Sequence, residues 1–94
     1  LSEGIRPSSV RLYPNPSTGV FWLEMAFEKA LPAVEWTLSD LYGRVWRSGR
    51  AVPRQNRLQE RIDCSGLPGG IYLLGVKHQG SPIWVGRVVL KPGG

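Results

Sequence analysis

The groups from which catalysis could be built are few: seven carboxylates, His78 and Cys64. The acids fall at outward positions of alternating stretches or at turns. Asp40 and Asp63 each precede a glycine-containing turn, where a carboxylate commonly accepts backbone N–H groups. One histidine and one cysteine cannot complete the four-ligand set of a structural zinc site. A lone cysteine forms no internal disulfide and leaves the redox compartment open. Cys64 either fills space beside the Gly66 corner or is a reactive thiol. Gly66-Leu67-Pro68-Gly69-Gly70 is glycine-rich, but it runs into a strand pattern and not into the helix N-terminus that a phosphate loop requires. No Ser/His/acid grouping has independent support. These residues predict no enzyme, no metal and no cofactor.

Charge is more informative. The formal net charge is +5, and six of the twelve basic residues are arginines between Arg44 and Arg61 (Arg44, Arg47, Arg50, Arg54, Arg57, Arg61). Two neighbouring strands and their loop are expected to carry this positive field. It is read either as a solvated sheet edge that resists aggregation or as a contact for a polyanion such as lipopolysaccharide or polysaccharide. Nucleic acid ranks low, because a single-strand binder interleaves exposed aromatics with its cations and only Trp46 lies in this stretch. Trp22, Trp46 and Trp84 are not needed as core residues by the alternation. Exposed together they would form a platform for a sugar ring or a protein partner; packed under loops they would mean nothing.

The elements that must hold these residues read as strands. Twelve glycines and eight prolines in 94 residues favour turns over long helices. No run reaches the ~20 apolar residues of a membrane span. Residues 1–9 read as the end of a linker and residues 10–94 as a single domain. The chain opens on Leu1-Ser2-Glu3-Gly4 without a methionine, which predicts a piece excised from a longer protein. Val10 to Tyr13 is a short strand, and Tyr13-Pro14-Asn15-Pro16-Ser17-Thr18-Gly19 a rigid turn. Val20 to Glu28 alternates most clearly, with Phe21, Leu23, Met25 and Phe27 on one face. Ala33 to Asp40 directs Val34, Trp36 and Leu38 inward, and Asp40 to Arg44 makes a hairpin connection with Gly43 suited to positive φ. Arg44 to Ser48 is a strand, and Gly49 to Gln55 a loop broken by Pro53. Asn56 to Asp63 is a strand whose inward face is spoiled by Glu60, through a bulge, an arginine partner or a position beyond the covered area. Ile83 to Lys91 is the last strand, with Val88 and Leu90 inward and Arg87 and Lys91 outward; Pro92-Gly93-Gly94 is a frayed tail.

The stretch from Asp63 to Val76 organises the whole. Pro68 and its glycines make a corner that feeds a strand with Tyr72, Leu74 and Val76 on one face. The spacing Leu67-Pro68-Gly69-x-x-Tyr72 resembles the tyrosine corner of immunoglobulin-type sandwiches. About seven short strands without helical periodicity predict an all-β, immunoglobulin-like antiparallel two-sheet sandwich.

Four motifs follow one another: Tyr13-Pro14-Asn15-Pro16 with Gly19; Asp40-Leu41-Tyr42-Gly43-Arg44-Val45; Leu67-Pro68-Gly69-Gly70-Ile71-Tyr72; and Arg87-Val88-Val89-Leu90-Lys91. In this order they resemble the type A C-terminal sorting domain of the type IX (Por) secretion system of Bacteroidetes, from about Val10 to Lys91. The resemblance implies a non-catalytic signal that directs a larger cargo from the periplasm through the outer membrane to the cell surface or medium. It further implies a sortase-like peptidase that removes the domain, and for many cargoes linkage to anionic lipopolysaccharide. The first three motifs are scaffold turns by the family pattern, and Arg87 to Lys91 is the part tied to translocon recognition. The tail beyond Lys91 and the high arginine and tryptophan content depart from that pattern. The alternative is a carbohydrate-binding or cell-surface attachment module of sandwich type.

Overall fold

Period-two alternation governs the first long strand, where side chains at Phe21, Leu23, Met25 and Phe27 are buried and those between them only partly so. The same rule sorts the rest of the chain into strands. In a computed structural model, which describes residues 5–92, these are β1 (Pro7–Tyr13), β2 (Val20–Phe27), β3 (Val34–Asp40), β4 (Val45–Ala51), β5 (Arg57–Asp63), β6 (Gly70–His78) and β7 (Ser81–Leu90). Gly93 and Gly94, expected as a frayed tail, lie outside the described residues, as do the first four residues of the expected linker.

The strands form two antiparallel sheets, β1-β2-β5 and β4-β3-β6-β7. Pairing of the second strand with the fifth and the third with the sixth is the immunoglobulin-like arrangement expected from the sequence. The fourth strand departs from the constant-type order, in which it pairs with the fifth; here it pairs with the third. This corrects one expectation. The two arginine-bearing strands β4 and β5 are not hydrogen-bonded neighbours but edges of opposite sheets, so their charge is split between two faces.

Two boundaries also move. β1 starts at Pro7, not Val10, because a register irregularity between Pro7 and Ser9 lets Pro7 stand opposite Phe27, while the Ser8 hydroxyl donates to the Ala26 carbonyl at 3.1 Å. β4 runs on through Gly49 to Ala51, which pairs with Val34 and is buried. Gly49 belongs in the strand because the Trp36 indole occupies its missing side chain: a Cβ there would stand 2.7 Å from the ring. The opposite edge repeats the device, since the Trp84 indole folds over Gly86, where a Cβ would stand 2.2 Å from it.

The core between the sheets contains Phe21, Leu23, Leu38, Ile62, Leu74, Val76 and Val88 with no exposed surface. Leu31, in the turn after β2, also joins it. Glu60 faces this core, directly opposite Leu23 in an unbroken register. It needs no bulge and no arginine: the Trp36 indole N–H donates to its Oε2 at 3.2 Å, across the two sheets. A buried indole requires an acceptor, and Glu60 supplies it. Glu60→Ala is expected to lower stability by about 1–3 kcal/mol, because the N–H loses its partner, and Glu60→Gln by clearly less. Urea denaturation checks this; equal midpoints for Glu60→Ala and the wild type would show that the bond contributes nothing.

Candidate functional site

Antiparallel pairing brings the four sequence motifs to one end of the sandwich. β1, β3, β5 and β7 all finish there. Asp40 stands opposite Tyr72, and Gly70 opposite Leu90. The Cys64 N–H donates to the Gly19 carbonyl at 2.6 Å, and Ser17 bridges to Leu90 in parallel sense. Motifs separated by tens of residues thus share one pole.

The Tyr13–Gly19 turn closes the outer edge of β7. The Asn15 side-chain amide donates to the Arg87 carbonyl at 3.0 Å, and its Oδ1 accepts from the Val89 N–H at 3.0 Å. Ser17 N–H donates to the Val89 carbonyl at 2.9 Å, and the Lys91 N–H donates to the Ser17 carbonyl at 2.8 Å. Ser17 itself is buried, its hydroxyl donating to the Val20 carbonyl at 2.9 Å and accepting from the Gly19 N–H at 3.2 Å. A last strand at a sheet edge would present unpaired backbone groups for strand addition, but from Arg87 to Lys91 those outward groups are occupied. What it presents instead is side chains. Arg87 and Lys91 are exposed and Val89 half-buried, whereas Val88 and Leu90 lie in the core.

Asp40 organises the second motif. Its Oδ1 accepts from the Tyr42 and Arg44 N–H groups at 2.9 and 3.0 Å, and its Oδ2 from the Trp46 indole at 3.0 Å. The Gly43 N–H donates to the Asp40 carbonyl at 3.1 Å, and Gly43 adopts φ +89°, which a side chain would strain. Arg44 stacks on the Trp46 ring, 4.1 Å from its centroid. In the third motif the Tyr72 hydroxyl donates to the Pro68 carbonyl at 2.6 Å, which is the tyrosine corner. A shallow groove of about 290 Å³ separates the second and third motifs, edged by the exposed Leu41, Tyr42 and Ile71.

The bond from the Trp46 indole, aided by the two backbone N–H groups, holds the Asp40 carboxyl below its ordinary value of 3.8. The Ser65 hydroxyl and N–H do the same for Asp63. Burial pushes the Cys64 thiol up to about 11, which keeps it protonated and unreactive at neutral pH. His78 Nδ1 lies 2.9 Å from the Ala33 carbonyl. Among the described residues no three His, Cys, Asp or Glu side chains gather as a metal site.

The three tryptophans offered as a platform are not brought together. Trp22 lies on the three-stranded sheet, while Trp46 and Trp84 lie on opposite edge strands of the other. The last two pack against the core. Sequence reasoning missed Glu60 as the acceptor for Trp36 and Asn15 as the partner of β7. Glu60 on an inward position was the one available signal for the first; nothing local announces the second.

A small immunoglobulin-like sandwich with its turns and its basic final strand gathered at one pole is a recognition module. The family described as secretion system C-terminal sorting domain matches residues 11–91, and the chain belongs to it. No curated protein and no solved structure matches. Membership gives the chain a role as a type IX sorting signal, interaction with the secretion machinery, and export to the cell surface or medium; such domains are generally non-catalytic. No helix among the described residues is long and apolar enough to cross a membrane.

Asn15→Ala is expected to destabilise the domain by about 1–2 kcal/mol, since two edge backbone groups lose their side-chain partner. The Val89 amide should then exchange faster than amides of β3. Unchanged Val89 protection would show that the clamp does not hold the strand. The Asp40 carboxyl is depressed in the folded state, so its contribution is present above the unfolded value near 3.8 and is lost as pH falls through the folded one. Asp40→Asn should therefore melt below the wild type at pH 7, with the gap closing under pH 4; a gap independent of pH would refute the assignment.

Proposed function

We propose that this domain directs a larger N-terminal cargo from the periplasm through the outer membrane, and that the translocon reads the side chains of Arg87, Val89 and Lys91 at the motif pole. One observation supports this most. The first motif is spent on fixing the last strand: Asn15 and Ser17 occupy its backbone groups and leave two cationic side chains outward. A pre-ordered pair of charges loses little entropy on docking and meets an acidic partner surface selectively. Val88 and Leu90 act beneath them as anchors in the core. A sortase-like peptidase then removes the domain at the surface, cutting ahead of the sandwich, before β1 begins at Pro7. The remaining motif residues, Tyr13, Pro14, Pro16, Gly19, Leu67, Pro68 and Gly70, set the turns that hold this pole.

The test fuses residues 1–94 to a fluorescent reporter with an ordinary periplasmic signal, in hosts with and without type IX machinery. The wild-type fusion should reach the surface only in the competent host. Arg87→Glu/Lys91→Glu should reduce delivery about tenfold or more, as a charge reversal at a complementary interface does, with an unchanged melting curve. Delivery at the wild-type level would sink the residue assignment; a wild-type reporter retained in the periplasm of the competent host would sink the sorting role.

A further inference from the structure

We propose that the outer face of the three-stranded sheet binds an anionic saccharide, whose carboxylate is held by Arg54 and Arg57. This site lies toward the pole opposite the motifs and goes beyond the sorting role.

The turn between β4 and β5 sets the arginines. Arg54 N–H donates to the Arg57 carbonyl at 2.7 Å, and Arg57 N–H to the Arg54 carbonyl at 2.9 Å. Gln55 and Asn56 between them both take positive φ, 52° and 65°, as a two-residue type I′ turn requires. Residues that exchange both backbone bonds stand directly opposite, with side chains on one face and Cα atoms about 5.5 Å apart. Like charges in that position are destabilising. Among the described residues no carboxylate pairs with them: the one ion pair there is Arg11–Glu24, at 3.4 Å. Two exposed arginines carried at directly opposite backbone positions offer forked guanidinium groups that a carboxylate can engage bidentately.

The groove they border, of about 480 Å³, is suited to a sugar. Along it, the register sets Ser9, Ala26 and Arg57 in one row and Arg11, Glu24 and Gln59 in the next. Glu24 is already oriented, accepting from Gln59 Nε2 at 3.1 Å and from the Tyr13 hydroxyl. A floor of hydroxyl, amide and carboxylate groups offers donors and acceptors to ring hydroxyls. One row further, half-buried Trp22 gives an aromatic surface for the apolar face of a ring, beside Tyr13, whose own ring the Arg11 guanidinium covers at 4.8 Å. From Trp22 to Ala26 the strand advances about 13 Å, the span of a short oligosaccharide. An acidic peptide would satisfy the arginines but leave the aromatic end and the hydrogen-bonding floor unused.

Isothermal titration of the 94-residue chain with trigalacturonate, xylotriose and poly-glutamate at near-physiological salt tests this. Trigalacturonate should bind and xylotriose bind far more weakly. Arg54→Gln/Arg57→Gln should weaken trigalacturonate about tenfold, with Arg57→Lys between. Trp22→Ala should weaken trigalacturonate without touching poly-glutamate. Arg50→Gln/Lys77→Gln, on the other sheet, should change nothing, and reporter export by Arg54→Gln/Arg57→Gln should stay at the wild-type level. Equal binding of xylotriose, equal losses in the Arg50/Lys77 control, or no binding of any probe would overturn the site. Poly-glutamate binding as tight as trigalacturonate, indifferent to Trp22→Ala, would replace it with an acidic protein partner.

Discussion

A two-sheet sandwich cannot escape its edges, and the edge that matters here is that of β7. Its outward backbone groups would be a template for adventitious pairing if left bare. Asn15 satisfies two of them with a single side chain, matching one donor and one acceptor, and Ser17 satisfies two more through its backbone. Because Asn15 lies 72 residues from Arg87, the edge of the last strand is completed by a turn near the start of the chain. The ordered C-terminal strand is therefore a property of the whole domain and not of its own sequence.

The tryptophan content, unusual for so small a chain, is largely absorbed by the same problem of closing edges. Trp36 and Trp84 lie over Gly49 and Gly86 on the two edge strands of the larger sheet, each indole taking the volume a side chain would have used. Trp46 is fixed by Asp40 on one side and Arg44 on the other. Trp22 alone lies on the smaller sheet, so no shared tryptophan platform forms.

Much of the fold was legible because a half-buried strand writes its orientation into alternate residues: Phe21 to Phe27, Val34 to Leu38, and Tyr72 to Val76 all point as their spacing requires. The tyrosine corner was legible for a different reason, since proline and glycine constrain the backbone wherever they stand. The rest depended on partners far away in sequence. Glu60 looked like an error in its strand until Trp36 of the opposite sheet supplied a donor. The split of the arginines between sheets turned on whether β4 pairs with β3 or β5, a choice that alternation leaves open. The Gln55-Asn56 turn was missed, Gln55 being read as the end of a loop and Asn56 as the start of a strand, because no glycine marks the two positive-φ positions.

An odd number of antiparallel strands has a geometric result. β1 begins at one pole, and β7 ends at the other, with the four motifs around it. Whatever is joined ahead of Pro7 therefore leaves from the far side of the molecule. On the proposed reading the domain would be a handle with its grip and its load at opposite ends, and even a bulky passenger would leave the grip clear.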